Sequence, residues 1–502
     1  MPPNPSRATI VATILAAGKG TRMRSRLVKV LHPFLGRPMV LHLVDAAFRA
    51  GVDRVVSVVG HQAAEVESAV AGAFRGWNLG FAHQTEQRGT GHAVASALSE
   101  LGDAGTVLVI YGDTPLLRSQ TLAQLLTAHR KEGHAMTVAT FRAADPTGYG
   151  RIVRDASGDR ILRIVEHADA TPEERQINEV NAGICAIRRD LLEPALARLE
   201  PHNKQGELYL TDVVELLATS GEHVAAYTIA DPVEASGINT RAQLATLEEI
   251  ALQRMRLTWM DRGVSMQDPG SIRIDAEVDI GEDTLLGPNV QLLGKTRIGH
   301  GCRIDAGALL DGCELGDFVH IKAYSVAAGS RLATGAEIGP FAHLRPGTEL
   351  GEKAKVGNFV ETKMAKIAAH AKASHLSYLG DCEIGRDVNI GAGTITCNYD
   401  GVDKHKTIIE DEVFIGSDTQ LVAPVRVGRR ATIGAGTTVT RDVPEGSLVV
   451  TRSEARTILG YYDRHRLPRL EKKRAQRAAA KAERAASIAA ATPETNADKE
   501  GT

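Results

Sequence analysis

A glycine-rich turn with two cations follows the first apolar run of the chain. The sequence GKGTR at residues 18–22 comes directly after IVATILAA. Glycine lets the backbone approach an anion closely, successive N–H groups of such a turn form a concave donor set, and Lys19 and Arg22 add positive charge. The turn is neither a P-loop, whose first glycine is absent, nor a dinucleotide fingerprint, which requires glycine where Met23 stands. It therefore predicts a phosphate site of unspecified ligand, with an ordinary strand-to-helix turn as the alternative.

A second loop carries a carboxylate that fits this site. Asp113 ends the apolar run TVLVIYGD, so it follows a strand just as the glycine-rich turn does. Because ligands of parallel sheets bind at the carboxyl ends of the strands, we expect the two loops to meet there. A carboxylate beside phosphates holds Mg²⁺ rather than repelling them, and Lys29 can reach the same place from the next segment. A lone aspartate at a strand end is more often a helix cap, so only the pairing is informative.

A second cluster of chemically capable residues lies in the C-terminal half. Arg345 and Lys363 are separated by one coil of three six-residue repeats, so both can face one groove and bind a sugar phosphate. His375 and Tyr378 follow. A lone histidine is more often structural, but it is also the side chain that most readily takes a proton near neutral pH. The cluster favours such a base, with solvated surface side chains as the alternative.

Helical and strand patterns alternate as far as residue 239. Short apolar strands separated by amphipathic helices predict βαβ units and a mainly parallel sheet covered on both faces, here assigned to residues 1–239. Residues 240–263 read as a linker helix that ends at Gly263. Its apolar residues at helical spacing are Leu244, Leu247, Ile250, Ala251, Met255 and Leu257.

Beyond Gly263 aliphatic residues recur every sixth position. This period predicts a left-handed parallel β-helix over residues 264–455, with the aliphatic residues inside and small residues at the corners. The ladder breaks at 361–378 and 395–408, which we interpret as loops that carry sites. The ladder residues are Ile274, Ile280, Leu286, Leu292, Ile298, Ile304 and Leu310, then Val326, Leu332, Ile338, Leu344, Leu350 and Val356, then Ile409, Ile415, Leu421, Val427, Ile433 and Val439.

Composition limits the classes of function. A chain of 502 residues exceeds one ordinary core, and a net charge of −2 gives no general attraction to nucleic acid or membrane, so neither is expected as a partner. Five cysteines without a C-x-x-C pair argue against zinc sites and disulfides. No membrane span or signal peptide is recognisable, which predicts a cytoplasmic protein. The Ala/Lys/Arg/Glu-rich tail at 456–502 is expected to begin as a solvated helix and to end disordered.

Several motifs in order resemble one enzyme family. LAAGKGTRM at 15–23 with Lys29, QxxxxGT at 84–90, YGD at 111–113, TGYGRI at 147–152, VEH at 165–167, NAG at 181–183 and GIN at 237–239 are similar to sugar-phosphate nucleotidyltransferases. Joined to a hexapeptide β-helix, they resemble the bacterial bifunctional enzymes with N-acetylglucosamine-1-phosphate uridyltransferase and glucosamine-1-phosphate acetyltransferase activities. The resemblance covers about residues 8–455. One departure is Val28, where the family usually has proline, which bears on the rigidity of the loop before Lys29.

The resemblance implies roles at the first site. UTP and N-acetylglucosamine 1-phosphate would react there, Lys29 would act in catalysis by neutralising phosphate charge, and Asp113 with Asn239 would ligate Mg²⁺. The implied binding residues are Leu15, Ala16, Ala17, Gly18, Lys29, Gln84, Gly89, Thr90, Tyr111, Gly112, Asp113, Gly150, Glu166, Asn181 and Asn239.

It also implies roles at the second site. His375 would be the base that accepts a proton from the amine of glucosamine 1-phosphate, and no acetyl-enzyme on Cys397 is expected. The sugar phosphate would be bound by Arg345, Lys363, Tyr378 and Asn389. Acetyl-CoA would contact Ala392, Asn398, Tyr399, Ser417, Ala435 and Arg452. The family implies a homotrimer formed along the β-helices.

Two alternatives remain. The first is a single-activity pyrophosphorylase whose β-helix is only regulatory or oligomerising, as in related ADP-glucose enzymes, and the presence of Lys363, His375 and the NIGAGTITCNYDG run at 389–401 weighs against it. The second is a non-catalytic scaffold that binds nucleotide sugars, and the retention of Lys29 and Asp113 weighs against that one.

Overall fold

The computed structural model describes residues 9–452 and 454–490. One compact unit ends at Val449, and a second begins at Val450. In the described residues no helix is both long and apolar enough to cross a membrane.

The first region is built on a nine-stranded sheet. Its strand order is β9-β5-β8-β4-β1-β2-β3, with β6 pairing β8 and β7. The pairs of β1 with β2 and β4, of β2 with β3 and of β5 with β9 are parallel, whereas β8 is antiparallel to β4 and β5. The predicted mainly parallel sheet is thus confirmed, with one antiparallel strand in its interior. The strands are β1 Ile10–Leu15, β2 Arg54–Val59, β3 Leu79–His83, β4 Thr106–Tyr111, β5 Met136–Arg142, β6 Arg151–Arg154, β7 Ile161–Val165, β8 Glu179–Arg188 and β9 Val224–Thr228.

Helices cover both faces of this sheet. Because β1 and β4 are apolar along nearly their whole length, they must be buried on both sides, and two separate apolar clusters lie against the two faces. Among the described residues six α-helices lie in this region and two follow it. They are α1 Met39–Arg49, α2 Ala63–Ala73, α3 Thr90–Ser96, α4 Ser119–Glu132, α5 Arg189–Leu196, α6 Asp212–Thr219, α7 Arg241–Asp261 and α8 Leu467–Ala490.

Helix α7 leads from the sheet to the β-helix. It begins with a capping box, since the Thr240 hydroxyl accepts from the N–H of Gln243 at 3.2 Å and the Gln243 side chain accepts from the N–H of Thr240 at 3.1 Å. Periodicity predicts an inward Leu257, but its side chain is 53% exposed. Arg256 is buried instead, because its Nε donates to the carbonyl of Ile272 at 2.8 Å.

The strands after α7 form a parallel β-helix, as the six-residue period predicts. One sheet has 11 strands and another has 17. In both sheets each strand pairs in parallel with the strand one coil away. The 11 strands are Ser265–Met266, Leu285–Leu286, Arg303–Ile304, His320–Ile321, Glu337–Ile338, Lys355–Asn358, Lys372–His375, Asn389–Ile390, Phe414–Ile415, Thr432–Ile433 and Leu448–Val449. The 17 are Arg273–Ile274, Asp279–Ile280, Gln291–Leu293, Arg297–Ile298, Leu309–Asp311, Glu314–Leu315, Val326–Ala328, Arg331–Leu332, His343–Leu344, Glu349–Leu350, Glu361–Ile367, Tyr378–Ile384, Ile395–Cys397, Thr407–Ile409, Gln420–Val422, Val425–Val427 and Thr438–Val439.

Two details of the predicted ladder are wrong. Ala327, not Val326, is the buried ladder residue, because it pairs with Leu310 on the preceding coil. The break at 361–378 is not a loop. Its strands stay in the coil, and small interior residues such as Ala365 and Ala373 replace the large aliphatic ones.

The break at 395–408 does contain a projecting loop. Asp400 organises it by accepting from the N–H groups of Val402 and Asp403 at 2.8 and 2.7 Å. A bridge between Tyr399 and Lys404 closes it.

In the described part of the C-terminal unit, an exposed helix, α8, follows a turn of π-helix at Tyr462–Arg466. The predicted disorder of the last residues falls on 491–502, outside the described residues.

Candidate active sites

A pocket of about 280 Å³ opens at the carboxyl ends of β1 and β4. Its wall combines both loops that the sequence singles out, so the two strand ends do converge. Ten of the predicted nucleotide-site residues line it: Leu15, Ala16, Ala17, Gly18, Lys29, Gln84, Gly89, Thr90, Tyr111 and Asp113. Gly112 lies behind this wall, where a Cβ would stand 2.7 Å from the carbonyl oxygen of Leu15. Only glycine allows Asp113 to come so close to β1.

The two glycines of the first turn have different tasks. Gly20 has a φ of +60°, and a Cβ there would stand 2.5 Å from the Cβ of Lys29. Gly18 has no atom within 4 Å of such a Cβ and faces the open pocket. Gly20 therefore shapes the turn against Lys29, while Gly18 leaves room for a ligand.

Lys29 lies between two side-chain oxygens. Its ammonium is 2.5 Å from Oδ2 of Asp113 and 3.1 Å from Oδ1 of Asn239. Arg22 also donates to Oδ1 of Asn239, at 2.9 Å. A carboxylate and an amide oxygen thus converge on one cation at the mouth of the pocket, and Asn239 is held there because α7 begins directly after it.

The predicted sugar-site residues lie beside the nucleotide pocket. Asn181 and Tyr111 line a small adjoining cavity, and the N–H of Asn181 donates to the carbonyl of Gly150 at 2.9 Å. Glu166 lies next to Gly150 and lines a larger groove of about 690 Å³. Burial raises the pKa of Glu166, although the hydroxyl of Thr211 donates to it at 3.2 Å. A partly desolvated carboxylate of this kind favours a neutral hydroxyl donor such as a sugar.

Sequence reasoning missed four residues of the pocket wall, the apolar Val30 and Ala93 and the polar Gln87 and Glu207. The side-chain amide of Gln87 donates to the carbonyl of Ala17 at 2.7 Å, which ties the loop after β3 to the first turn. Glu207 reaches the pocket from a segment remote in sequence. Gln87 lies inside the QxxxxGT motif, and this position in the motif could have identified it as a pocket residue.

The second cluster lies on the surface of the β-helix. Arg345 and Lys363 occupy neighbouring coils, since the N–H of Arg345 donates to the carbonyl of Thr362 at 2.9 Å. Lys404, from the projecting loop, contacts Lys363, and this contact lowers the pKa of Lys363, to which Arg345 adds repulsion. Glu361 balances part of the charge through Arg345, at 3.0 Å. Three cations around one place are typical of a phosphate site, and Lys404 was missed because a loop brings it back.

His375 lies on the coil that follows the one carrying Lys363. It is exposed, and its Nδ1 lies 2.6 Å from Oδ1 of Asn358 on the preceding coil. Tyr378 pairs with Glu361, and its ring covers Gly380, the register partner of Lys363. Asn389 is exposed on the next coil, opposite Lys372.

Small residues continue from His375 along one corner of the β-helix. The N–H groups of Gly393, Asp418 and Gly436 donate to the carbonyls of Leu376, Ala392 and Ser417, respectively, at 2.7–2.9 Å. With the registers of the adjoining strands, these bonds align His375, Ala392, Ser417 and Ala435 in a column. We call this column the acetyl corner.

The other residues predicted for acetyl-CoA lie elsewhere. Asn398 is buried and its side-chain amide donates to Asp381, whereas Tyr399 is 60% exposed on the projecting loop. Arg452 lies in the C-terminal unit. Burial raises the pKa of the Cys397 thiol, which disfavours the reactive thiolate.

Comparison with known families agrees with this division. Residues 12–210 match the MobA-like NTP transferase domain, and residues 277–312 and 406–441 match the bacterial transferase hexapeptide family. The fold and sites thus define a nucleotidyltransferase joined to a hexapeptide transferase.

Full-length relatives narrow this class. Bifunctional protein GlmU of Pelobacter propionicus is 53% identical over 88% of this chain and 96% of its own. The GlmU of Geobacter metallireducens is 51% identical over the same shares. A solved UDP-glucose pyrophosphorylase complexed with UDP-glucose covers 49% of this chain and 99% of its own at 19% identity and a TM-score of 0.41. The chain belongs to the GlmU family and is a bifunctional uridyltransferase and acetyltransferase; the single-activity alternative is disfavoured.

Proposed function

We propose that the two sites act in sequence on one sugar phosphate. The β-helix site transfers the acetyl group of acetyl-CoA to glucosamine 1-phosphate, and the sheet site transfers UMP from UTP to the N-acetylglucosamine 1-phosphate formed, releasing pyrophosphate. The product, UDP-N-acetylglucosamine, is a precursor of cell-envelope glycans. Family membership and the two clusters of residues support this assignment.

In uridyl transfer the sugar phosphate attacks the α-phosphorus of UTP. A phosphate monoester is already nucleophilic at neutral pH, so positioning and charge neutralisation suffice and no base is needed. Gln84 and the Gly89–Thr90 turn face the pocket where the base of the nucleotide fits, and Lys29 neutralises phosphate charge. Glu166 and Asn181, beside the pocket, hold the sugar hydroxyls.

Asp113 and Asn239 are the proposed ligands of Mg²⁺. Their oxygens converge on the Lys29 ammonium, which supports a cation position between them. Among the described residues there is no cluster of three or more carboxylate, histidine or cysteine ligands. Two protein oxygens are enough for Mg²⁺, which takes the rest of its shell from water and substrate phosphates and neutralises their charge. With Asp113 and Asn239 holding the ion, the Lys29 ammonium would be available to pair with substrate phosphate.

At the second site Arg345, Lys363 and Lys404 bind the phosphate of glucosamine 1-phosphate. Tyr378 and Asn389, on the adjoining strands, bind the sugar. His375 takes the proton that the amine loses as it attacks the acetyl carbonyl. The observation that carries this assignment is the position of His375, which begins the acetyl corner on the coil next to that of Lys363.

The acetyl corner fits the slender arm of coenzyme A. Coils of a parallel β-helix are about 4.8 Å apart, so the corner offers a shallow track about 14 Å long from His375 to Ala435. Ala392, Ser417 and Ala435 leave this track free of bulky side chains. Tyr399 is a further proposed contact of the coenzyme.

We propose a homotrimer that covers apolar residues beside His375. Tyr324, Phe341, Phe359 and Leu376 lie on successive coils and are 49–61% exposed. Neighbouring rings stack at 5.5 and 5.6 Å. All four residues have φ between +47° and +56°, where bulky side chains are disfavoured and glycine is usual. Such an exposed apolar column supports an interface between copies of this chain.

A coupled assay with His375→Ala tests the assignment. We expect the variant to lose coenzyme A release from glucosamine 1-phosphate while it still makes UDP-N-acetylglucosamine from supplied N-acetylglucosamine 1-phosphate. His370→Ala, at another exposed histidine of the β-helix, is the matched control and should keep both activities. Unchanged release of coenzyme A by His375→Ala would exclude His375 as the base.

A further inference from the structure

The imidazole of His375 is held by an amide on the preceding coil. Its Nδ1 lies 2.6 Å from Oδ1 of Asn358, and the two residues are register partners in neighbouring parallel strands. The N–H of Leu376 donates to the backbone carbonyl of Asn358 at 3.0 Å. The side-chain contact is therefore built on a fixed backbone rung, unlike a contact between two long surface side chains.

This contact selects one tautomer of the histidine. An amide oxygen only accepts hydrogen bonds, so Nδ1 must carry the hydrogen and Nε2 must carry the lone pair. We infer that Asn358 is a positioning residue that keeps His375 in the Nδ1–H tautomer, with Nε2 ready to accept the proton of the attacking amine. This inference rests on the proposed role of His375.

The proton balance of acetyl transfer explains why the tautomer matters. The amine nitrogen forms a bond to the carbonyl carbon of acetyl-CoA, and the carbon–sulfur bond then breaks. The amine proton passes to Nε2, and it is afterwards available to the departing thiolate of coenzyme A. In the other tautomer Nε2 carries a hydrogen and accepts nothing. The bond from Nδ1 to Asn358 persists throughout and stabilises the imidazolium formed in between.

A neutral partner has a different effect from a charged one. A carboxylate beside a histidine raises the pKa of the imidazole, whereas an amide orients the ring without adding charge. Among the strands bonded to Lys372–His375, the strand Lys355–Asn358 carries one ionisable side chain, Lys355, and Asn389–Ile390 carries none. Lys355 pairs with Lys372 in the register, away from His375, and Glu337 is its acidic neighbour at 3.8 Å. A carboxylate at position 358 would therefore be a new charge next to the base.

Two substitutions separate orientation from charge. Asn358→Leu keeps the approximate volume but removes the acceptor, and we expect kcat of acetyl transfer to fall by about 10- to 100-fold, with little change in KM for glucosamine 1-phosphate. Asn358→Asp keeps an acceptor for Nδ1–H, so it should rescue most of the rate above neutral pH. The acid limb of the pH–rate profile of Asn358→Asp should lie about one pH unit higher than that of the unaltered protein. Uridyl transfer should be unchanged in both variants.

The tautomer itself is observable. In full-length protein labelled with ¹⁵N-histidine, the resonances of His375 are assigned by their loss in His375→Gln. In the unaltered protein we expect the ¹⁵N chemical shifts of a ring with hydrogen on Nδ1 and a lone pair on Nε2. In Asn358→Leu we expect the averaged shifts of a mixture of tautomers. A ring that is Nε2–H in the unaltered protein would overturn the inference.

The outcomes distinguish this inference from the proposed function. If His375→Ala retains acetyl transfer, the role of the histidine is wrong. If His375→Ala is inactive but Asn358→Leu keeps kcat and the pH profile of the unaltered protein, only the role of Asn358 is wrong. Misfolding of Asn358→Leu would be recognised because uridyl transfer and trimer formation would be lost as well. In that case the pH profile of acetyl transfer by Asn358→Asp decides. An acid limb that is not shifted overturns the inference.

Discussion

The two sites of this chain differ in depth. The nucleotide pocket is enclosed by loops of one chain at the carboxyl ends of β1 and β4. The acetyl corner lies on the outside of the β-helix, with His375 exposed. A doubly wound sheet creates a crevice where strand connections diverge, whereas a solenoid offers only a ridged surface. In the proposed homotrimer a neighbouring copy adds depth to the second site, so oligomerisation should matter for acetyl transfer and not for uridyl transfer.

Removing the carboxylate of Asp113 should have the largest effect, and on the enclosed site alone. Asp113→Ala leaves the Lys29 ammonium without its 2.5 Å partner and removes the only charged ligand proposed for Mg²⁺. We expect kcat/KM of uridyl transfer to fall by about 10³-fold or more, which corresponds to about 4 kcal/mol of lost transition-state stabilisation. Pyrophosphate release and coenzyme A release, measured on the same preparation, check this.

Asp103→Ala is the control, because Asp103 is exposed in the turn before β4. Both activities should survive it. If Asp113→Ala lost acetyl transfer to the same extent, the nucleotide pocket and the acetyl corner would not be independent sites.

The second-largest effect is expected from charges placed among the exposed apolar residues Tyr324, Phe341, Phe359 and Leu376, and it should fall on acetyl transfer. In Phe341→Asp with Phe359→Asp, two carboxylates replace stacked rings at the proposed interface. We expect monomers in analytical ultracentrifugation and a loss of acetyl transfer of at least about 100-fold, while uridyl transfer stays within about twofold, because the interface cost falls on the assembly.

Phe318→Asp is a matched control. Phe318 is 65% exposed and has a φ of +57°, but it stacks on His300 at a different corner. It should leave the trimer and both activities intact. A monomer that retains full acetyl transfer would show that the corner is complete within one chain.

The sequence predicts the parts of these sites that depend on local pattern. The two strand-end loops and the six-residue ladder are periodic or contiguous signals, and they located Gly18, Asp113 and His375 on their elements. The fold class that they predict is confirmed. What pattern could not supply is contact between segments far apart, such as Lys404 against Lys363 or Gln87 against Ala17. Such contacts depend on the conformation of a loop, and loop conformation leaves no periodic pattern in the sequence.

The wrong details have a common cause. A ladder built on large aliphatic residues alone predicts Val326 instead of Ala327 and a loop at 361–378. The interior of a narrow coil also accepts alanine, as Ala327 and Ala365 show. Volume inside the coil, rather than hydrophobicity alone, decides the register.

Acid should weaken the region of the enclosed site. Burial lowers the pKa of His42 and of His129 to about 4, and both lie in helices that cover the sheet. Between pH 6.5 and about 4 the unfolded chain binds more protons at these groups, so the free energy of unfolding falls as the pH falls, by at most about 3 kcal/mol for each. Asp212, with its pKa raised to about 6 by burial, acts in the opposite direction and offsets part of this loss.

Calorimetry at pH 7 and pH 5 measures this loss. His129→Gln should reduce the decrease in Tm between these pH values, whereas His61→Gln, at an exposed histidine, should not. A pH-independent Tm for the unaltered protein would contradict the assignment of buried neutral histidines.

The smallest effect is expected from Val28→Pro, which tests how firmly the loop presents Lys29. Val28 has a φ of −60°, the value that proline imposes, and it precedes the helical turn Lys29–Leu31. Its side chain is buried, so proline loses some packing but restricts the unfolded chain. We expect the free energy of unfolding to rise by about 0.5 kcal/mol and the KM for UTP to stay within about twofold. A marked fall in KM would instead mean that the valine leaves the Lys29 loop loose in the free enzyme, so that even the enclosed site is ordered partly by its substrate.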